Sequence, residues 1–132
     1  TESTLMVDPP RARETLERLR ELGCALAIDD FGTGYSSLAY LRTLPVDEIK
    51  LDCCFVMGMV DDDRDACIVE STIGLAHGLG LTVTAEGVES ERAWTMLRSY
   101  GCDRAQGFHL GMPMPVPEFE RWLEESTFGL DR

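Results

Sequence analysis

The chain has 132 residues, a single-domain length, and its 44% hydrophobic and 27% charged residues describe a folded globular protein, not a disordered one. A formal charge of −12 argues against nonspecific binding to DNA or RNA polymers, which needs a cationic surface, but leaves room for a small phosphorylated ligand whose charge is met by metal ions. No apolar run approaches the roughly 20 residues of a membrane helix, no signal peptide opens the chain, and five cysteines form an odd set without a CxxC pair, so a reduced, cytoplasmic protein is expected.

Asp8-Pro9-Pro10 reads as a helix start, Leu16, Leu19 and Leu22 follow at helical spacing, and Gly23 stops the run. Cys24 to Ile28 is a short apolar strand. It ends abruptly in two carboxylates, Asp29 and Asp30, followed at once by Phe31-Gly32-Thr33-Gly34-Tyr35. Ser36 to Leu44 reads as a brief helix closed by Pro45, and Glu48-Ile49-Lys50-Leu51-Asp52 alternates as a second strand. Cys53-Cys54 reads either as a metal or redox site or as small buried residues between strand and helix, and Asp61-Asp62-Asp63 as a solvated loop.

Asp65 to Gly80 follows as a helix, Leu81 to Ala85 as a strand ending at Glu86-Gly87, and Ser90 to Tyr100 as a helix stopped by Gly101. Cys102 to Phe108 holds a last strand, and Gly111 to Pro117 is an extended connection in which the prolines forbid helix. Pro117 to Glu125 is the terminal helix, and the first residues have the character of the tail of another strand. His77 and His109 read as surface or helix-end residues.

Strand and helix alternate throughout, which predicts an α/β fold with parallel pairing. A closed eight-stranded α/β barrel needs roughly 200–250 residues or more, so this length supplies about half of one. An open doubly wound sheet also fits the length, but it usually carries a glycine-rich phosphate turn after its first strand, and no GxGxxG occurs here. The half barrel is therefore preferred.

In either architecture ligands gather beyond the carboxyl ends of the strands. Asp29 and Asp30, Lys50, Glu86 with Glu89, and Gln106 all fall there. At a strand's last residues the alternation of side chains relaxes, so both aspartates can turn to one site and hold hard cations such as Mg²⁺, Mn²⁺ or Ca²⁺. The same pair also reads as a solvated strand end or a helix N-cap. Lys50 can stabilise a developing phosphate charge or pair with a carboxylate, and Glu86 can ligate a metal or accept a proton from a water acidified by it. Gln106 can orient water or a phosphate oxygen, while Glu89 reads as a cap for the helix beginning near Ser90 rather than a substrate contact.

Taken in order, Thr1-Glu2-Ser3, Asp29-Asp30-Phe31-Gly32-Thr33-Gly34-Tyr35-Ser36-Ser37-Leu38, Leu44-Pro45-Val46-Asp47, Ile49-Lys50-Leu51-Asp52, Ala85-Glu86-Gly87-Val88-Glu89 and Gln106-Gly107-Phe108 resemble the successive motifs of the EAL domain. That family comprises bacterial cyclic di-GMP phosphodiesterases. The resemblance implies a TIM-like barrel in which two Mg²⁺ or Mn²⁺ ions activate water to cleave one phosphodiester and give linear pGpG. By position, Asp29 would bridge the metals, Asp30 would ligate the second, Glu86 would ligate the second or serve as general base, and Lys50 and Gln106 would act at the nucleophilic water. Glu2 and Glu89 would hold the mobile loop from Phe31 to Ser37, which in the family couples active site to dimer interface, and Phe108 would pack on a guanine.

The family's barrel begins with the Glu-Ala-Leu segment, whose metal-binding Glu and phosphate-contacting Arg, like a later Asn and Glu, would precede Thr1. The chain is therefore expected to be residues 1–132 of a partial EAL domain, inactive by itself, whose first metal keeps essentially Asp29 alone. Cys53-Cys54 and Met112 depart from the more polar and basic residues usual at those places, without touching a ligand position. An incomplete barrel is expected to expose two sheet edges and an apolar interior, and so to form a homodimer or otherwise self-associate. The alternatives are a cyclic di-GMP-binding module without catalysis and a dimerisation module built on Phe31 to Leu44.

Overall fold

The computed structural model describes residues 7–33 and 38–128. The expectations placed on Glu2, on Tyr35 and on a strand tail in the first residues lie outside the described residues. Helix α1 (Pro9–Glu21) opens where the Asp8 carboxylate accepts the Arg11 N–H at 3.3 Å and two prolines take positions whose N–H groups need no partner. Strand β1 (Ala27–Phe31), helix α2 (Leu38–Leu41) and strand β2 (Glu48–Leu51) follow. Helices α3 (Cys53–Gly58) and α4 (Asp63–Gly78), strand β3 (Thr82–Glu86), helix α5 (Glu91–Ser99), strand β4 (Arg104–Gln106) and helix α6 (Val116–Glu125) complete the order.

The four strands form one parallel sheet in the order β1-β2-β3-β4. Parallel neighbours require a crossover between them, and the helices between the strands provide it. The architecture is the expected α/β one, a partial barrel. No helix among the described residues is long and apolar enough to cross a membrane.

The pleat sorts the strands into two unlike faces. Ile28, Ile49, Leu51, Val83 and Ala85 are buried in one cluster with Val56 of α3, Val69, Ile73 and Ala76 of α4, and Ala93 and Leu97 of α5. Residues of opposite pleat are Glu48, Lys50, Thr82, Thr84, Glu86, Arg104 and Gln106. There Glu48 accepts hydrogen bonds from the Thr84 hydroxyl and, at 3.0 Å, from the Arg104 guanidinium, joining β2, β3 and β4. The expected apolar interior is thus corrected: this face is polar, because the positions alternating with the core residues carry charged groups and threonines.

Three local readings are corrected as well. Cys53 and Cys54 are both exposed, because Asp52 caps α3 by accepting the Cys54 N–H at 2.8 Å and the two thiols occupy the helix's first turn. Asp61-Asp62-Asp63 is not merely a loop: Asp62 caps α4, accepting the Arg64 N–H at 2.7 Å, and Asp63 opens the helix. Ser90, not Glu89, caps α5, accepting the Ala93 N–H at 3.1 Å. Both aspartates act as caps because a short carboxylate reaches the unpaired N–H groups of a first turn.

Ile49 is fully buried at the centre of the sheet, whereas Leu22 is 80% exposed. Replacing Ile49 by Ala should cost about 3 kcal/mol in urea unfolding, while Leu22→Ala should stay within about 0.5 kcal/mol of the parent. Equal effects of the two substitutions would show that the core does not sit on this face.

Candidate metal centre

Strand β1 pairs Ala27 with Glu48 and Ile28 with Ile49, but then Phe31 with Leu51. Two residues, Asp29 and Asp30, therefore stand opposite the single residue Lys50, which is a β-bulge. The cause is legible in the packing. Ile28 and Phe31 are both buried in the core, and three residues apart on a regular strand they would face opposite sides. One extra residue reconciles them. Asp30 absorbs the distortion with φ +56, the one non-glycine residue in the left-handed region among those described, a conformation that Asp tolerates better than most residues.

The bulge corrects the expected strand boundary. The strand runs through the two acids to Phe31 and does not stop at Ile28. It also supplies what a relaxed strand end was expected to supply, two adjacent carboxylates at one rim.

Lys50 Nζ donates to Asp29 Oδ1 at 3.0 Å and to Glu86 Oε1, so one ammonium bridges the first and third strands. Hydrogen bonding to Glu86, and then to Asp29, raises the Lys50 pKa above its ordinary value against the opposing effect of burial. The ammonium is a permanent cation at neutral pH. Glu86 ends β3, and Gly87 turns the chain immediately after it with φ +74. A Cβ on Gly87 would lie 2.4 Å from the Cys53 Cβ, so the rim requires glycine there.

One carboxylate oxygen from each of Asp29, Asp30 and Glu86 lies within 4.8 Å of the other two. Three carboxylates and one ammonium leave two negative charges, matching a divalent cation. The all-oxygen donor set suits Mg²⁺, Mn²⁺ or Ca²⁺ and offers none of the His or Cys ligands typical of structural zinc. These residues fit a hard divalent metal.

Gln106 pairs with Glu86 in the β3–β4 ladder and is exposed at the same rim. Phe108, 57% exposed, lies two residues further on. With Gln106, Met112, Met114, Phe119 and Trp122 it lines a cavity of about 410 Å³. Glu89 is exposed ahead of α5, and part of the loop it was expected to hold, residues 34–37, lies outside the described residues. Sequence reasoning missed the bulge, whose signal was two apolar residues spaced three apart in a strand. It also missed the wall that α6 contributes, where Phe119 and Trp122 stack with ring centroids 5.8 Å apart.

Asp30→Gly removes the left-handed strain, so its urea midpoint should equal or exceed the parent's, its unfolding free energy rising by up to about 1 kcal/mol, while calorimetric Mn²⁺ binding weakens. A lower midpoint with unchanged Mn²⁺ affinity would contradict the bulge's role. A pKa raised on folding contributes stability that is complete below the unfolded lysine value of 10.5 and is lost as pH climbs through the folded value. The stability advantage of the parent over Lys50→Met should therefore hold at neutral pH and shrink in alkali, as read by urea midpoints across pH; an advantage that grows in alkali would contradict it.

Four similarities to known proteins bear on this arrangement. The EAL domain family matches residues 1–113. The cyclic di-GMP phosphodiesterase NbdA of Pseudomonas aeruginosa is 45% identical over 128 residues, 97% of this chain and 16% of that protein. The PaMucR phosphodiesterase of the same organism, solved as a c-di-GMP complex, is similar with a TM-score of 0.83 at 44% identity, over 88% of this chain and 47% of that one. Klebsiella pneumoniae BlrP1, solved with manganese and cyclic di-GMP, gives a TM-score of 0.73 at 39% identity, over 79% of this chain and 26% of that one. The chain spans about a sixth of the length of the curated relatives it matches. With this sequence match, this parallel sheet and this acidic rim, the chain belongs to the EAL domain family.

Proposed function

We propose that this chain carries part of a site that hydrolyses one phosphodiester of cyclic di-GMP to linear pGpG, with Mg²⁺ or Mn²⁺ as cofactor. The observation that carries the reading is the meeting of Asp29, Asp30, Glu86 and Lys50 at one rim. It is supported by the family and by relatives named as phosphodiesterases of that nucleotide.

Asp29, Asp30 and Glu86 would hold the cation, which when bound neutralises phosphate charge and acidifies water. Lys50 keeps its positive charge through any physiological pH, and its ammonium, held between Asp29 and Glu86, would offset charge developing on the phosphate. Glu86 would take the proton of the attacking water, and Gln106, its ladder partner, would orient that water or a phosphate oxygen through its amide. Phe108 offers an exposed ring for a guanine. Glu2 and Glu89 remain, in this reading, the residues that hold the loop after β1.

Three carboxylates fill about half of the roughly six oxygen positions that Mg²⁺ takes. Water, phosphate oxygens and residues outside this chain are left to supply the rest. The isolated chain is accordingly a nucleotide-binding, non-hydrolysing piece in this proposal, and turnover belongs to the intact domain. Among the described residues β1 and β4 each have one unpaired edge, which favours self-association of the isolated chain. The site of action is the cytoplasm, where a reduced cysteine set is stable.

The test is calorimetry with cyclic di-GMP and Mn²⁺, paired with chromatography of the products. Nucleotide binding should depend on the metal and be lost in Glu86→Gln. Lys50→Met should bind Mn²⁺ no more weakly than the parent, since it removes a competing cation, and within an intact EAL domain it should lower turnover by about 10²-fold or more. Nucleotide binding that ignores Mn²⁺ would overturn the site. Rapid turnover by the isolated chain would overturn its assignment as non-hydrolysing.

A further inference from the structure

The pairing of β3 with β4 ends at Glu86 and Gln106, yet the two segments stay fastened beyond that rung. Val88 donates its N–H to the Gln106 carbonyl at 3.1 Å and its carbonyl accepts the His109 N–H at 3.0 Å. One residue thus pins both ends of the turn from Gln106 to His109. Gly107 passes so close beneath that a Cβ on it would lie 2.1 Å from the Val88 oxygen. Gln106 and Phe108 of this turn are exposed. His109 turns its side chain the other way. Its Nε2 hydrogen-bonds Glu91 Oε2, in the first turn of α5, at 3.0 Å. Its ring meets Phe128 edge-on at 5.5 Å, and Phe128 meets Trp94 of α5 edge-on at 5.4 Å.

We infer that His109 is a positioning residue: it ties the turn bearing Gln106 and Phe108 to α5 and to Phe128, and so presets the wall of the rim beside Glu86. The inference rests on the nucleotide site proposed above. β4 is only three residues long, and an end so short frays unless it is held. A turn that is ordered before the ligand arrives spares the nucleotide that ordering cost, so the tie acts on ligand affinity without touching the ligand. The carboxylates that would hold the metal do not depend on it, because Asp29 and Asp30 come from the bulge in β1 and Glu86 from β3.

The test uses the full chain with His109→Ala, His109→Gln and Glu91→Gln. The glutamine Nε2 can replace the imidazole Nε2 on Glu91, so His109→Gln should restore most of what His109→Ala loses. In hydrogen exchange without ligand, the Val88 and His109 amides of His109→Ala should exchange about tenfold faster, with β1 and β2 unchanged. Glu91→Gln, which keeps an oxygen acceptor but loses its charge, should fall between the parent and His109→Ala. Mn²⁺ affinity should stay within about twofold of the parent, while cyclic di-GMP affinity measured with Mn²⁺ falls about tenfold and recovers in His109→Gln. Unchanged exchange at Val88 and His109 would overturn the inference. So would acceleration spread over β1 and β2, or an opened turn with undiminished nucleotide affinity. If the parent takes no nucleotide, the proposed function fails, and the exchange pattern alone then decides whether His109 holds the turn.

Discussion

The site depends on one packing conflict. Ile28 and Phe31 both belong in the core, and a regular strand cannot bury two residues three apart on the same face. The extra residue in β1 resolves the conflict and sets two aspartates against one lysine. Burial of two hydrophobic side chains thus places a pair of charges. Asp30 adopts a left-handed backbone to allow it, and strain of this kind concentrates at functional sites because the surrounding packing holds it in place.

Electrostatics then organise what the bulge assembles. Three carboxylates drawn together repel one another, and Lys50 offsets part of that repulsion from the middle strand, where it reaches acids on both sides. The two uncompensated charges make a divalent ion a natural complement. The polar face continues one layer below in the Glu48, Thr84 and Arg104 contacts, so the sheet presents a charged interior where many α/β barrels pack branched aliphatic residues. The helices keep the apolar groups on the other side. That division lets one sheet serve as both core and site.

Much of this was legible in the sequence. The alternation of strands and helices, the helix stops at Gly23 and Gly101, and the placing of Asp29, Asp30, Lys50, Glu86 and Gln106 at strand ends all follow from periodicity and turn chemistry. Where the reading failed, tertiary packing or capping decided. Strict alternation hid the bulge: it assigns Ile28 and Phe31, three apart, to opposite faces, and their shared apolar character was the one sign that both belong to the core. Asp52 and Asp62 looked like strand and loop residues because N-caps share their composition with both. The polar interior was missed although Glu48, Thr84 and Arg104 each lie two residues from a rim residue on the same pleat. The turn at Gly107 joins segments about twenty residues apart, a distance over which periodicity says nothing.

The central claim is that Asp29, Asp30 and Glu86 hold one divalent cation because the β1 bulge brings the two aspartates together. It is tested most directly by crystals of this chain grown with Mn²⁺ and measured for anomalous scattering. The account predicts a manganese peak within bonding distance of carboxylate oxygens from all three residues, with Lys50 displaced from at least one of them. A peak seated instead on Asp61, Asp62 and Asp63, or one bound by Glu86 with the two aspartates turned away, would contradict it.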